Sequence, residues 1–85
     1  MPNDKASLEA LAHAYDHIGD QIRSKEYTVR LVDVFLDEDN APGCAEHAEV
    51  LRSKFTGDPD VDTVLARYDE KAAAGGGGSA AAFSS

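Results

Sequence analysis

Tryptophan is absent from this chain of 85 residues, cysteine occurs once, and bases are scarce: eight Lys and Arg stand against sixteen Asp and Glu. Each shortage excludes something. A lone Cys44 permits no internal disulfide, which fits a reducing compartment. No apolar run approaches the ~20 residues of a membrane span. The opening Met1-Pro2-Asn3-Asp4 carries neither the basic nor the apolar stretch of a secretory signal. A cytoplasmic protein is therefore expected. The net charge of -8 makes the chain a poor default ligand for phosphate backbones or anionic lipid, so neither nucleic acid nor membrane is expected as a partner. Basic protein surfaces are the charge-compatible partners, although such acidity also simply keeps a small protein soluble. The one glycine run, Gly75 to Gly78, lacks the Lys-Ser/Thr that completes a phosphate-binding loop.

What the chain does have is a seam. Leu8, Leu11, Tyr15, Ile18 and Ile22, then Val29, Val32 and Leu36, recur at steps of three and four, interrupted only by Lys25. Such spacing marks a helix that lays one apolar stripe against other helices. An all-α fold is expected: a small bundle of three to four helices over about 4–23, 25–38, 42–56 and 59–73, followed by a flexible tail. The domain is read as 1–73, and 74–85 as a Gly/Ala/Ser-rich tail.

Asn3 or Asp4 is placed to cap the first helix. Gly19 weakens this helix without having to end it. Two readings follow: a fold-back near Ser24, which would cap a second helix, or one helix running straight to about Glu38. The straight form, on the order of 50 Å long, could not be covered by the rest of the chain. The fold-back is favoured. Tyr27 to Leu36 has the β-branched content of a strand but no partner strand, so it is read as helix. It is apolar on more than one face, which makes it either the most buried element or a docking face.

Asp37 to Gly43 reads as a loop, and Cys44, Ala48, Leu51 and Phe55 form the seam of a third helix. Gly57 is suited to end it in a left-handed conformation. Asp58 then caps a fourth helix starting at Pro59, with apolar face Val61, Val64, Leu65, Tyr68 and Ala72. The tail, Gly75 to Ser79 between two alanine triplets, reads either as an engineered linker with an added remnant or as a tethered arm whose Ala80 to Phe83 docks on a partner.

Chemistry-bearing clusters are few. His13 and His17 lie four apart, and Cys44 and His47 three apart, so a mixed metal site can be drawn from them. The histidines fall off the seam, however, and Cys44 falls on it, where a thiol acts as a small hydrophobe. Asp58-x-Asp60-x-Asp62 echoes a calcium loop, but Thr63 stands where Gly is required, and a capped helix start explains the acids more simply. Cys44 with His47 is the only nucleophile–base pair close in sequence, and nothing orients it.

A non-catalytic protein–protein interaction module without cofactor is therefore expected, as a small acidic accessory subunit or assembly component of a viral particle or multi-subunit complex. It would bind a protein partner or itself through Val29, Leu31, Val32, Phe35, Leu36 and Phe83. Two alternatives stand beside it. One is an acidic inhibitor that mimics nucleic acid on a basic surface. The other is a metal-binding helical protein using His13, His17, Cys44 and His47.

Overall fold

The computed structural model describes residues 4–74. They form α1 (Lys5–His17), α2 (Gln21–Asp37), a 3-10 turn (Ala41–Cys44), α3 (Ala45–Lys54) and α4 (Pro59–Ala74), with no strand among the described residues. The fold is the expected all-α bundle of four helices. Tyr27 to Leu36 lies within α2, and Ala74, expected to begin the tail, closes α4. The rest of the tail, including Phe83, lies outside the described residues.

Asp4 starts α1: its carboxylate accepts the Ser7 backbone N–H at 3.0 Å and the Ser7 hydroxyl at 2.9 Å. The end of α1 corrects the expected boundary. Gly19 takes φ +87°, the Asp20 N–H reaches back to the Tyr15 carbonyl at 2.9 Å, and the Gly19 N–H to that of Asp16 at 3.1 Å. These two bonds close the helix in the left-handed termination that glycine makes without strain. Asp20 at once caps α2 by accepting the Arg23 N–H. The chain thus folds back at Gly19–Asp20 rather than near Ser24.

Ser24 has a different task. It is buried, and its hydroxyl donates to the Ala12 carbonyl across the hairpin at 3.0 Å. Thr28, also buried, donates to the Ser24 carbonyl at 2.7 Å. Ala12, Ser24 and Thr28 let the two helices approach closely, while Leu8 and Leu31 are the large buried side chains of this layer.

α2 is the central element. Its Leu31 side faces α1, and its Val32 and Leu36 join the main core with Ala41, Cys44, Ala48, Leu51, Val61, Val64 and Leu65. Val29, Phe35, Phe55, Tyr68 and Ala72 pack at the edge. The excess apolar content of α2 is explained by this sandwiching: α2 contacts every other element, whereas the backbone of α1 packs closely on α2 alone and meets α3 only through side-chain pairs. The seams read for α3 and α4 are the faces that are buried. The described chain measures 45 × 27 × 17 Å. Helices are ~10 Å across with side chains, so the molecule is about two helices thick and α1 keeps one flank uncovered.

The second end of α2 repeats the closure of α1 with Asp39 at φ +56°. The Asn40 N–H bonds the Phe35 carbonyl at 2.9 Å, and Lys71 from α4 pairs with the Asp39 carboxylate at 2.8 Å. No helix among the described residues is long and apolar enough to cross a membrane.

A Cβ added at Gly19 would meet nothing within 4 Å, so Gly19→Ala tests the left-handed backbone alone. It should lower unfolding stability by about 1 kcal/mol in urea titration. Leu36→Ala, which empties the centre of the core, should cost about 3 kcal/mol.

Candidate functional site

The uncovered flank of the α1–α2 hairpin carries an aromatic and cationic ladder. The Tyr15 and Tyr27 rings stack with centroids 5.6 Å apart and planes 1° from parallel. The Arg23 guanidinium lies 5.7 Å from the Tyr15 centroid, and the Arg30 guanidinium 5.7 Å from that of Tyr27. Arg23, Tyr27 and Arg30 share a face of α2 because they are four and three residues apart. At the tip of the hairpin Ile18 and Ile22 are each 71% exposed. The sequence seam placed both inside; the turn at Gly19 takes them out of it.

The arrangement of the bases sets this face apart. Six of the eight donate side-chain hydrogen bonds to carboxylates. Lys25 Nζ reaches Asp58 at 2.7 Å, Lys54 reaches Asp16 at 2.9 Å, and Arg52 reaches Asp69 at 3.0 Å. Lys71 pairs with Asp39, Lys5 with Glu38, and Arg67 bridges Asp33 and Asp37 at 2.5 and 3.2 Å. These bonds join separate segments: α2 to α4, α1 to α3, α3 to α4. Lys25, which interrupts the seam, is thereby accounted for: it ties α2 to the cap of α4. Of the eight bases only Arg23 and Arg30 donate no side-chain hydrogen bond among the described residues, and Arg23 forms a 4.0 Å ion pair with Asp20 on its own turn.

The pairing shifts the titration of its members. A hydrogen bond from Lys25 holds Asp58 below the ordinary aspartate value, and Lys54 and Lys71 do the same for Asp16 and Asp39. The Ser7 hydroxyl lowers Asp4. Lys25 is raised in return by its bond to Asp58, and Arg67 by its bond to Asp37.

The residues singled out from the sequence fall elsewhere. Leu31, Val32 and Leu36 are in the interior, against the chain's own helices, so they cannot form an exposed docking face. Phe35 is half-buried, with Lys5 over its ring at 5.1 Å and His47 stacked at 6.4 Å. Val29 lines a groove of about 490 Å³ between α2 and α4.

The four metal candidates are also separated. His13 and His17 are exposed on α1. Cys44 is fully buried and its Sγ lies 3.4 Å from the Ala41 carbonyl. The His47 Nε2 faces Glu9 at 3.6 Å. Among the described residues no three His, Cys, Asp or Glu side chains converge as a metal site would require. Burial pushes the Cys44 thiol above its ordinary value, away from the thiolate a nucleophile needs. Asp58 of the calcium-like motif is engaged as the cap of α4: its Oδ1 accepts the N–H groups of Asp60 at 2.9 Å and Val61 at 3.2 Å.

The apolar seam assigned no role to Arg23 or Arg30, and Tyr27 was read only as the start of the strand-like run. The four–three spacing of Arg23, Tyr27 and Arg30 was the available signal. Comparison with protein-family models, curated proteins and solved structures finds no match to the chain.

The shifts of the carboxylates fix the sign of the acid response. Groups whose folded pKa is depressed stabilise the fold above the unfolded value, 3.8 for Asp, and that stability is lost as pH falls through the lower folded values. Unfolding titrations should show stability dropping below about pH 4. The drop should be shallower for Asp58→Asn. An equally steep acid limb in that variant would contradict the role given to the Lys25 pair. Cys44 and Tyr68, both raised chiefly by burial, act at the other end: their contribution is lost as pH rises beyond their ordinary values.

Proposed function

We propose that the chain is a non-catalytic interaction module, an accessory or assembly subunit, that docks a protein partner through the flank and tip of the α1–α2 hairpin. The observation that carries this reading is the pair Ile18 and Ile22, each 71% exposed at the tip of the hairpin whose flank carries the Tyr15–Tyr27 stack. Exposed aliphatic side chains next to Tyr and Arg have the composition of interface anchors. The interior offers no competing use: its one thiol is buried and His47 is turned to Glu9 and Phe35. We place the protein in the cytoplasm as part of the same reading, which the free cysteine supports.

The inhibitor that copies nucleic acid fits less well. The acids that pair with no base, Glu26, Glu46, Glu49, Asp62 and Glu70 among them, are distributed over α2, α3 and α4. The metal-binding reading finds no converging donors among the described residues.

The double variant Ile18→Asp/Ile22→Asp tests the docking face. Both positions are exposed, so its thermal midpoint should stay within about 3 °C of the parent. Binding should be lost: self-association in light scattering if the partner is a second copy, or retention of the partner protein from native extract if it is another chain. Undiminished binding by the folded variant contradicts the proposal.

A further inference from the structure

We infer that the hairpin flank recognises an acidic segment of its partner, one that presents two carboxylates about 10 Å apart beside an apolar strip. This rests on the docking reading above and gives it a chemistry. The net charge of -8 points to basic partners, but net charge is not what a partner meets at this face. The bases elsewhere are hydrogen-bonded to the chain's own carboxylates. Arg23 and Arg30 donate no side-chain hydrogen bond, Arg23 having only a 4.0 Å ion pair to Asp20 on its own turn, and they lie over the stacked tyrosines. Glu26, which lies between them in sequence, is within ion-pair distance of neither.

A guanidinium presents its donors as a planar fork that matches a carboxylate, and a ring beneath it holds the fork in place without occupying those donors. Seven residues of helix separate Arg23 from Arg30, a rise of about 10 Å. That distance matches carboxylates seven apart on a partner helix. Ile18 and Ile22, exposed at the tip of the same hairpin, supply the apolar contact. Asp20 and Glu26, the acids nearest the two arginines, reduce the positive potential of this face, whereas acids beyond about 8 Å are screened at physiological ionic strength.

The test uses the full chain and labelled helical peptides with one Leu/Ile strip and two Glu, two Gln or two Lys seven residues apart, with single-stranded oligothymidylate as a fourth probe. Fluorescence anisotropy gives the affinities. The Glu peptide should bind at least ten-fold more tightly than the Gln peptide, about what charge-assisted over neutral hydrogen bonds provide. Arg23→Gln/Arg30→Gln should remove that advantage and leave the Gln peptide's affinity unchanged. Equal affinity for Glu and Gln peptides, preference for the Lys peptide or the oligonucleotide, or no binding of the Glu peptide overturns the inference. If Glu and Gln peptides bind equally and both are lost in Ile18→Asp/Ile22→Asp, the acid preference fails and the docking face stands. If that isoleucine variant binds every probe as the parent does, the docking face itself fails.

Discussion

The left-handed turn at Gly19 is the constraint on which the rest of this structure depends. With φ at +87°, the backbone closes α1 and hands the chain directly to the Asp20 cap of α2. A straight helix would have left the apolar faces of both segments to a partner. The fold-back instead sets Leu8 against Leu31 and buries the Ser24 hydroxyl against the Ala12 carbonyl. It also determines what remains outside. Ile18 and Ile22, in phase with the buried positions by sequence, flank the reversal and face solvent.

A second layer of order comes from charge. A small chain with twice as many acids as bases repels itself, and this one disposes its few cations as ties between segments. Lys25 joins α2 to the cap of α4, Lys54 joins α3 to α1, and Arg67 joins α4 to α2. Exposed pairs of this kind contribute little individually; their value here lies in fixing which helix lies beside which. Two arginines left out of this stitching, both held over tyrosine rings on one flank, are the exception that gives the surface a polarity of its own.

Much of the fold was legible in the sequence. Capping residues at Asp4 and Asp58, the left-handed Gly57, and the apolar faces of α3 and α4 are local signals, and the structure uses each as read. The helical state of Tyr27 to Leu36 followed from the absence of a strand to pair with. The position of the first turn did not follow, because a three–four apolar rhythm continues across Gly19 and looks the same whether the helix runs on or reverses. The glycine followed at once by a capping aspartate was the discriminating feature. The burial of Leu31, Val32 and Leu36 did not follow either, for a related reason. Leu31, Val32 and Leu36 were read as an excess of apolar surface, but α2 is packed on two sides and needs that many. Whether a face is surplus depends on tertiary contacts that periodicity does not encode, and the same holds for the stacking of Tyr15 on Tyr27.

The reversal at Gly19 is tested most directly by a distance. Spin labels at Ala6→Cys and Glu38→Cys, with Cys44→Ala to remove the native thiol, report whether the two ends of the hairpin meet. The fold-back brings Lys5 beside Glu38, so a single population centred near 20 Å is expected once label linkers of several ångströms each are added to neighbouring helices ~10 Å apart. A population near 48 Å, the rise of 32 uninterrupted helical residues, would show one straight helix and contradict this account of the molecule.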